Sequence, residues 1–320
     1  MRDLRHPRHV VILGAGAMGC LFGGILKEGG LNVTLVDIWK EHVDAINRRG
    51  LRMVGYGGDR SIPIRAATDV ASVAKADIVS VHCKAADTVT ATRSAARLFG
   101  AGTVAISFQN GIGNEENIAS VVGRERVLGG WTAQGASVEA PGVVRNYSEL
   151  PSQVGEMRGG LSDRAREVAA AFSEAGLPTG PSGDIVAGMW KKMMINIALS
   201  APSAFTRLPL EKAAAVPHMR TAIDAALGEA AAVARSSEVD VDLEDAHRLL
   251  DALVGKGGTG ANMSSLCVDL LKQRRTEIDV LNGVVVRLGR ELGIPTPVNA
   301  AFVAAVKGLE SHYLAREWSP

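Results

Sequence analysis

Residues 9–37 read HVVILGAGAMGCLFGGILKEGGLNVTLVD, and this stretch decides the fold. It opens with a short apolar strand and continues into Gly14, Gly16 and Gly19, spaced as G-x-G-x-x-G. An apolar helix follows and ends at a glycine pair, and a second strand closes the unit at Asp37. A strand, a glycine-rich turn and a helix in this order predict the first βαβ unit of a dinucleotide-binding Rossmann domain.

Each part of the glycine-rich turn has a physical reason. Gly14 permits the tight turn, Gly16 lets the backbone approach a pyrophosphate, and Gly19 lets helix and strand pack closely. The start of the helix then offers N–H groups to the phosphates. The predicted cofactor-binding segment is Gly14, Ala15, Gly16, Ala17, Met18 and Gly19. A glycine-rich turn without a ligand is the alternative.

The end of the second strand bears on the choice of cofactor. A carboxylate at Asp37 suits hydrogen bonds from an adenosine ribose, which favours NAD(H) over NADP(H). The alternative is that Asp37 is only a turn residue.

Two further segments, ADIVSVHCK (76–84) and GTVAISFQNGIGNEENI (102–118), continue the strand and helix alternation. This alternation predicts a mostly parallel, doubly wound sheet, and such sheets bind ligands beyond the carboxyl ends of their strands. Lys84 and Asn110 follow strand ends and are therefore candidate site residues. A solvated loop lysine and a plain Asn-Gly turn are the alternatives.

The pattern changes in the second half of the chain. Short strands over 127–155 predict antiparallel strands that finish the sheet. Beyond LPTGPSG, apolar periodicity predicts helical segments over 184–201, 217–236, 242–254, 265–292 and 298–314. We therefore predict an α/β Rossmann domain over 1–182 and an all-α domain over 183–320.

The first predicted helix of the second half, within MWKKMMINIALSAPSAF (189–205), carries a polar stripe. Lys192, Asn196 and Ser200 are each four residues apart and so lie along one face. The residues on either side are Met, Ile and Leu, which a solvent-facing stripe would not have. The stripe therefore faces something polar that is enclosed by protein.

A second unusual stretch reads SSLCVDLLKQRRTEIDVLNG (264–283). Ser264 and Ser265 can cap a helix, and a capped N-terminus with two hydroxyls suits a substrate carboxylate. Glu277 then falls about three turns further along the predicted helix. On position alone, an ordinary surface acid within a charged cluster is the favoured interpretation of Glu277.

Composition bears on several classes of partner. The 320 residues carry a formal net charge of +1, which gives no support to nucleic acid or a membrane surface as a partner. No apolar run reaches the roughly 18 residues that a membrane span needs. Cys20, Cys83 and Cys267 match no zinc or redox spacing, so we predict no metal site and interpret them as thiols of a cytoplasmic protein.

The chain resembles the ketopantoate reductase family, the 2-dehydropantoate 2-reductases, over nearly its full length. The motifs that carry the resemblance are ILGAGAMG, QNGIGNEE, VLGGWTAQGA, WKKMMIN, ANMSSLCVDLLKQRRTEIDVLNG and LGIPTPVN. The resemblance implies a C-terminal domain of the 6-phosphogluconate-dehydrogenase-like type. It also implies NAD(P)H-dependent reduction of a 2-ketoacid to a 2-hydroxyacid, by default 2-dehydropantoate to (R)-pantoate, and a homodimer.

The resemblance also implies roles for single residues. Lys192 corresponds to the general acid, and Glu277 to the catalytic glutamate near it, which replaces the surface interpretation of Glu277. Asn110 corresponds to an asparagine where cofactor and substrate meet, and Lys84 to a cofactor contact. The substrate-binding positions are Asn110, Asn196, Ser200, Asn262 and Ser265.

Two positions depart from the family pattern. Family members often carry Asn where this chain has Ser200, and NADPH-using members carry Arg where it has Ile38. A carboxylate at Asp37 would repel a 2′-phosphate, so these residues favour NAD(H), with NADP(H) as the alternative. Asp37 and Ser200 both favour a second activity, that of an NAD-dependent D-2-hydroxyacid dehydrogenase acting on branched or aromatic ketoacids. A non-catalytic dinucleotide-binding regulator is the third candidate, but it would be expected to lose Lys192 or Glu277.

Overall fold

The computed structural model describes residues 4–7 and 9–314. Its chain divides into two compact units. The first comprises residues up to Gln109 together with Asn114–Val186, and the second comprises Asn110–Gly113 together with residues from Ala187 onward. A four-residue loop of the first half of the sequence therefore belongs to the second unit by its contacts.

The first unit contains all the strands found in the described residues. These are β1 Val10–Leu13, β2 Val33–Val36, β3 Leu51–Gly55, β4 Arg60–Ile62, β5 Arg65–Ala67, β6 Ala76–Val81, β7 Phe99–Ser107, β8 Val127–Thr132, β9 Ala136–Ala140, β10 Val143–Asn146, β11 Ser152–Glu156 and β12 Thr179–Ser182. Its α-helices are α1 Ala17–Glu28, α2 Lys40–Arg49, α3 Thr88–Ser94, α4 Asn114–Val122 and α5 Asp163–Glu174.

The main sheet has eight strands in the order β12-β11-β8-β7-β6-β1-β2-β5. All neighbours run parallel except β8 and β11, which are antiparallel. Every residue of β1 and β6 is buried, and alternate residues of β1 enter two different apolar clusters. Burial on both faces is typical of a parallel sheet covered by helices on each side. This confirms the predicted doubly wound Rossmann sheet.

A second sheet of four strands, in the order β4-β3-β10-β9, lies beside α1. The prediction that the strands over 127–155 finish the main sheet was therefore wrong for β9 and β10, because β10 pairs with β3 instead. The side chains of β3 and β4 reach α1 where it has no side chain. A Cβ built on Gly24 would lie 2.4 Å from the sulfur of Met53. A glycine in α1 thus makes room for a second layer.

The second unit is helical. Its α-helices are α6 Ile185–Thr206, α7 Leu210–Ala214, α8 Pro217–Ser236, α9 Leu243–Val254, α10 Ser265–Leu271, α11 Asn282–Leu292 and α12 Pro297–Leu314, with α6 beginning two residues before the boundary. The fold class predicted from the sequence, an α/β domain followed by an all-α domain, is confirmed.

The helix predicted over 265–292 is broken, which corrects the expected position of Glu277. After α10 ends, Gln273 adopts a left-handed backbone with φ of +52°. The N–H of Arg274 then bonds to the carbonyl of Asp269 at 2.8 Å, and its guanidinium pairs with that buried carboxylate at 2.7 Å. Glu277 consequently lies in a non-helical segment just before a 3-10 turn, Ile278–Val280. Glutamine rarely adopts positive φ, so the sequence carries no signal for this break.

Candidate active site

The glycine motif that joins β1 to α1 has no room for side chains at two of its glycines. Gly14 has φ of +98°, and a Cβ there would lie 2.4 Å from the backbone nitrogen of Cys83. A Cβ on Gly19 would lie 1.9 Å from the carbonyl oxygen of Gly14. Both contacts are with backbone, which cannot swing aside, so glycine is required at both positions.

Gly16 differs from its two neighbours in the motif. A Cβ built on it meets no heavy atom within 4 Å, so the backbone faces open space. Gly16 is also the N-cap of α1, and the first N–H groups of a helix have no acceptor within the helix. Ala17 and Met18 follow directly, partly exposed, while Ala15 is buried. This open, N–H-rich surface fits the pyrophosphate of a dinucleotide.

Asp37 follows β2 and organises the next turn. One carboxylate oxygen of Asp37 accepts the N–H of Trp39 at 2.9 Å. The Trp39 ring stacks on the buried imidazole of His42 with 4.8 Å between centroids. Ile38 is 92% exposed and carries no charge. The turn therefore presents a carboxylate beside an exposed apolar side chain.

Lys84 and Gln109 lie after neighbouring strands, β6 and β7. Lys84 is exposed and directly precedes a 3-10 turn, Ala85–Asp87. The side-chain amide of Gln109 donates to the Cys83 carbonyl at 2.7 Å and to the Thr88 hydroxyl at 2.8 Å. Gln109 was not among the site residues predicted from the sequence. A glutamine placed directly before the Asn-Gly turn was the available signal.

His82 also follows β6, but it cannot act as an acid near neutral pH. Its ring packs against Phe22 and Phe108, and Ser80 lies within hydrogen-bond distance at 2.9 Å. Burial lowers the pKa of His82 to about 3, so the ring remains neutral.

Lys192 is the centre of a polar cluster in the second unit. Its ammonium donates to the side-chain oxygen of Asn110 at 3.0 Å. Burial lowers the pKa of Lys192 to about 8, and the charge of Glu277 opposes that fall in part. An amine with a pKa close to neutrality can give up and regain a proton in each turnover. Lys191, one residue before, is exposed.

The loop Asn110–Gly113 owes its place in this unit to the turn that follows Glu277. The N–H of Ile112 donates to the carbonyl of Val280 at 3.2 Å. Gly111 has φ of +95°, and a Cβ there would lie 2.5 Å from the same carbonyl oxygen. Only glycine allows the loop to approach so closely. One turn therefore carries Glu277 and also anchors the loop that presents Asn110 to Lys192.

The other predicted substrate residues are arranged around α6. Asn196 lies one turn beyond Lys192 and is partly buried. Ser200 is only 4% exposed, and its carbonyl accepts the hydroxyl of Ser264 at 3.1 Å. Asn262 and Ser265 are both exposed.

Hydrogen bonds hold both ends of the segment from Asn262 to Ser265, to α7 at one end and to the start of α10 at the other. The carbonyl of Asn262 accepts the N–H of Leu210 at 3.0 Å. Ser264 caps α10 by accepting the N–H of Cys267 at 3.0 Å, and Ser265 is the first helical residue. Ser264 also bonds to α6, since its N–H donates to the hydroxyl of Ser203 at 3.2 Å.

In 4–7 and 9–314, no group of three or more His, Cys, Asp or Glu side chains is arranged to hold a metal ion. Within the same ranges, no helix combines the length and apolarity needed to cross a bilayer.

Comparison with known proteins decides the family. The family profile described as "Ketopantoate reductase PanE/ApbA" matches residues 10–159, and its C-terminal counterpart matches residues 184–310. The chain belongs to the ketopantoate reductase family. The resemblance predicted from the motifs is thereby confirmed.

Two curated relatives of this ketopantoate reductase family member share about a third of its residues over nearly the whole length. A 2-dehydropantoate 2-reductase of Halobacterium salinarum is 33% identical over 290 residues, covering 90% of this chain and 94% of the relative. Another from Archaeoglobus fulgidus is 32% identical over 304 residues, covering 95% and 98%.

Two solved structures similar to this chain carry the names of different activities. The ternary structure of D-mandelate dehydrogenase with NADH and anilino(oxo)acetate is 25% identical, with a TM-score of 0.90 and coverage of 95% of this chain and 99% of that one. A PanE/ApbA family ketopantoate reductase from Ralstonia eutropha is 30% identical, with a TM-score of 0.88 and the same coverage.

Proposed function

We propose that the protein reduces a 2-ketoacid to a 2-hydroxyacid with a nicotinamide dinucleotide, by default 2-dehydropantoate to (R)-pantoate. The observation that carries the proposal is the Lys192 ammonium, which is bonded to Asn110 at 3.0 Å and has a pKa lowered to about 8 by burial, against the charge of Glu277. The curated relatives carry the name of this reaction.

The chemistry asks two things of the chain's own residues. The cofactor, when bound, supplies the hydride. As negative charge develops on the ketone oxygen, Lys192 gives it a proton, and the product leaves as an alcohol while the lysine is left neutral. A cation and a proton donor beside the developing alkoxide lower the barrier. Lys192 then regains its proton from solvent, and Glu277 favours its charged form.

The remaining site residues hold the substrate in this proposal. The amide of Asn196 and the hydroxyl of Ser265 are suited to hydrogen bonds with the substrate's carboxylate and hydroxyl oxygens, as is the amide of Asn262. Ser200 is almost fully buried, so it can shape the end of the pocket with little reach into it. Asn110 holds the lysine and extends toward the substrate.

NADH is the proposed cofactor, with NADPH as the alternative. Asp37 places a carboxylate at the end of β2, and Ile38 offers no cation to a 2′-phosphate. Lys84 is proposed to contact the cofactor from the end of β6. The glycine segment from Gly14 to Gly19 would hold the pyrophosphate through backbone N–H groups.

A second candidate is an NAD-dependent D-2-hydroxyacid dehydrogenase for branched or aromatic ketoacids. Two observations favour it. Ser200 is smaller than the asparagine common in the family, and D-mandelate dehydrogenase, solved with NADH, has the same fold with a TM-score of 0.90.

A steady-state screen would test the function and separate the two candidates. We would measure kcat/KM for 2-dehydropantoate and for branched and aromatic 2-ketoacids, each with NADH and NADPH. The first candidate predicts the highest value with 2-dehydropantoate, and the second predicts it with an aromatic or branched acid. Absence of turnover with every ketoacid and both cofactors would remove both and leave the non-catalytic regulator.

Two coarser features belong to the same proposal. A homodimer is expected, and gel filtration at several protein concentrations would give an elution volume for about 67 kDa, twice the 33.5 kDa chain. A cytoplasmic location is proposed because Cys20 and Cys267 are buried free thiols, which a reducing compartment preserves.

A further inference from the structure

An acidic side chain occupies a core position of α12. Phe302, Val306 and Glu310 are each four residues apart and form the buried stripe of this helix. Glu310 is only 2% exposed. Burying a carboxylate is costly unless it is paired and hydrogen-bonded, so its partners should explain its presence.

The partners of Glu310 belong to the segment that carries Glu277. One carboxylate oxygen of Glu310 accepts the N–H of Thr276 at 2.6 Å, and the other accepts the ammonium of Lys307 at 3.1 Å. Burial by itself raises the pKa of Glu310, but the hydroxyl and N–H of Thr276 together with Lys307 hold it below its usual value. The residue is therefore ionised at neutral pH.

Two neighbours on α12 hold the same segment. Lys307 also donates to Asp279 at 2.6 Å, and the hydroxyl of Tyr313 donates to the carbonyl of Arg274 at 2.8 Å. Lys307, Glu310 and Tyr313 are each three residues apart on one side of the helix, and together they bind the segment from Arg274 to Asp279 at its two ends and its middle.

The bond between Glu310 and Thr276 joins two buried residues. Thr276 directly precedes Glu277, whose carbonyl accepts the N–H of Val280 at 3.2 Å. The carbonyl of Val280 in turn holds the loop that presents Asn110 to Lys192. One buried carboxylate is thus connected to both partners of the lysine.

We propose that Glu310 is a positioning residue, which fixes the turn from Thr276 to Val280 and so holds Glu277 and Asn110 against Lys192. The role of that cluster in ketoacid reduction rests on the proposed function, but the positioning itself does not. The proposal assigns Glu310 no contact with substrate or cofactor. It acts through the backbone of Thr276.

The lysine reports directly on this positioning. If Glu277 moves away, the charge that opposes the effect of burial is lost, and the pKa of Lys192 falls below about 8. We would label lysine side chains with 13C at the ε carbon and follow the Lys192 resonance in a pH titration, with Lys192→Arg giving the assignment. This readout needs no substrate.

The variants are chosen to separate positioning from stability. Glu310→Ala removes the acceptor, and Glu310→Asp keeps the charge but shortens the reach to Thr276. Glu310→Asp also covers the case in which Glu310→Ala does not fold. Glu310→Gln keeps an acceptor oxygen at the same reach. Ser311→Ala, at the exposed next position on α12, is the matched control.

We expect the Lys192 pKa to fall in Glu310→Ala and Glu310→Asp, and to stay near the wild-type value in Glu310→Gln and Ser311→Ala. With the best ketoacid, kcat should fall roughly 10- to 100-fold in Glu310→Ala, the scale of a misplaced catalytic group, while KM for NADH stays unchanged. Glu310→Gln should recover most of kcat.

An unchanged or raised Lys192 pKa in both Glu310→Ala and Glu310→Asp would overturn the proposal, even if their thermal stability falls. Failure of the proposed function gives a different result, because the pKa shift would then be present without ketoacid reduction by the wild-type enzyme. A normal rate with an unshifted pKa would leave the function standing and remove the positioning role.

Discussion

The glycine turn of the first unit and the lysine cluster of the second are built from different material. In the turn, backbone segments lie so close together that a side chain would collide with them. A Cβ built on Gly19 would lie 1.9 Å from the carbonyl oxygen of Gly14. In the cluster, side chains from separated segments meet, as Lys192 and Asn110 do at 3.0 Å. A backbone site is fixed once its glycines are present, whereas a side-chain site depends on how distant segments fold together. The two should therefore fail in different ways when mutated.

The lysine cluster should lose catalysis without losing cofactor binding. Lys192→Ala removes the proton donor and the positive charge facing the developing alkoxide. We expect kcat for ketoacid reduction to fall roughly 10²- to 10⁴-fold, on the scale of general-acid and oxyanion effects. The Kd for NADH, measured by fluorescence titration, should change little.

Lys191→Ala is the matched control for that variant. Lys191 is exposed and lies about 100° around the same helix, so its loss should leave kcat within a few-fold of wild type. The reverse result, in which Lys191→Ala abolishes turnover and Lys192→Ala spares it, would remove Lys192 from the mechanism.

The glycine turn should show the opposite separation. Gly16→Ala meets no heavy atom within 4 Å, so the variant should fold with wild-type stability. The added methyl would occupy the space proposed for the pyrophosphate, and we expect NADH to bind roughly tenfold or more weakly. Calorimetric titration with NADH and a thermal unfolding curve would measure the two properties.

Gly19→Ala provides the contrast within the same motif. Its methyl would clash with the backbone of Gly14, so the unfolding midpoint should fall along with NADH affinity. If Gly16→Ala instead loses stability and keeps its affinity, the turn is not the pyrophosphate site.

The preference for NADH over NADPH depends on two side chains, Asp37 and Ile38, which follow β2. We expect a smaller change in activity from mutating them than from mutating Lys192. Replacing Asp37 by Ala and Ile38 by Arg removes a carboxylate that repels a 2′-phosphate and adds a cation that attracts it. The ratio of kcat/KM for NADH to that for NADPH should fall at least about tenfold, which corresponds to about 1.4 kcal/mol. A wild-type enzyme that prefers NADPH tenfold or more would contradict the role of Asp37.

Glu115 tests how far burial raises the pKa of a carboxyl group in the first unit. It is 1% exposed, and neither carboxylate oxygen has a hydrogen-bond partner at ordinary distance among the described residues. Burial, with a smaller contribution from the charge of Glu116, raises the pKa of Glu115 to about 8, although the Ser107 hydroxyl lies near enough to oppose the rise in part. The folded state therefore binds this proton more tightly than the unfolded chain does.

The sign of the pH dependence follows from that difference. Stability contributed by the protonated form is present at low pH and is lost as the pH rises through about 8. The glutamine in Glu115→Gln stays neutral at every pH. The difference between the free energies of unfolding, variant minus wild type, should therefore increase by at most about 1.4 kcal/mol per pH unit between pH 6 and 8. Urea unfolding at several pH values would measure this, with Glu149→Gln, at an exposed position of the first unit, as the control. Parallel curves for Glu115→Gln and wild type would refute it.

The sequence predicts the glycine turn better than it predicts the lysine cluster, because the turn depends on local backbone contacts and the cluster on contacts between distant segments. The glycine spacing and the apolar strands were enough for the Rossmann sheet, since each glycine marks a backbone contact within one βαβ unit. The sequence did not predict that Gln273 would break the helix before Glu277, or that β10 would pair with β3. Nor did it predict that Val280 would hold Ile112. Those features arise from tertiary contacts between distant segments, which local periodicity does not encode.

Family motifs identified the residues of the lysine cluster but not the residues that hold them in place. The polar stripe pointed to Lys192, and the resemblance supplied its role and that of Glu277. The carboxylate of Glu310 was not predicted, although it lies in the buried stripe of α12. An acid at a core position of an amphipathic helix was the readable signal. The same kind of signal, an acid one helical turn before the buried Ile118 of α4, was present at Glu115.

The pH dependence of kcat/KM for the acid tests the central claim, proton transfer by Lys192, most directly, because this constant reports the pKa of the enzyme before the acid binds. Both directions would be measured with saturating cofactor and the best acid well below its KM, between pH 6 and 10. With the lysine pKa at about 8, ketoacid reduction should slow as the pH rises through that region, and hydroxyacid oxidation should speed up. Lys192→Ala should show neither limb. Rates that are flat in both directions across this range, in an enzyme that turns over, would contradict the account.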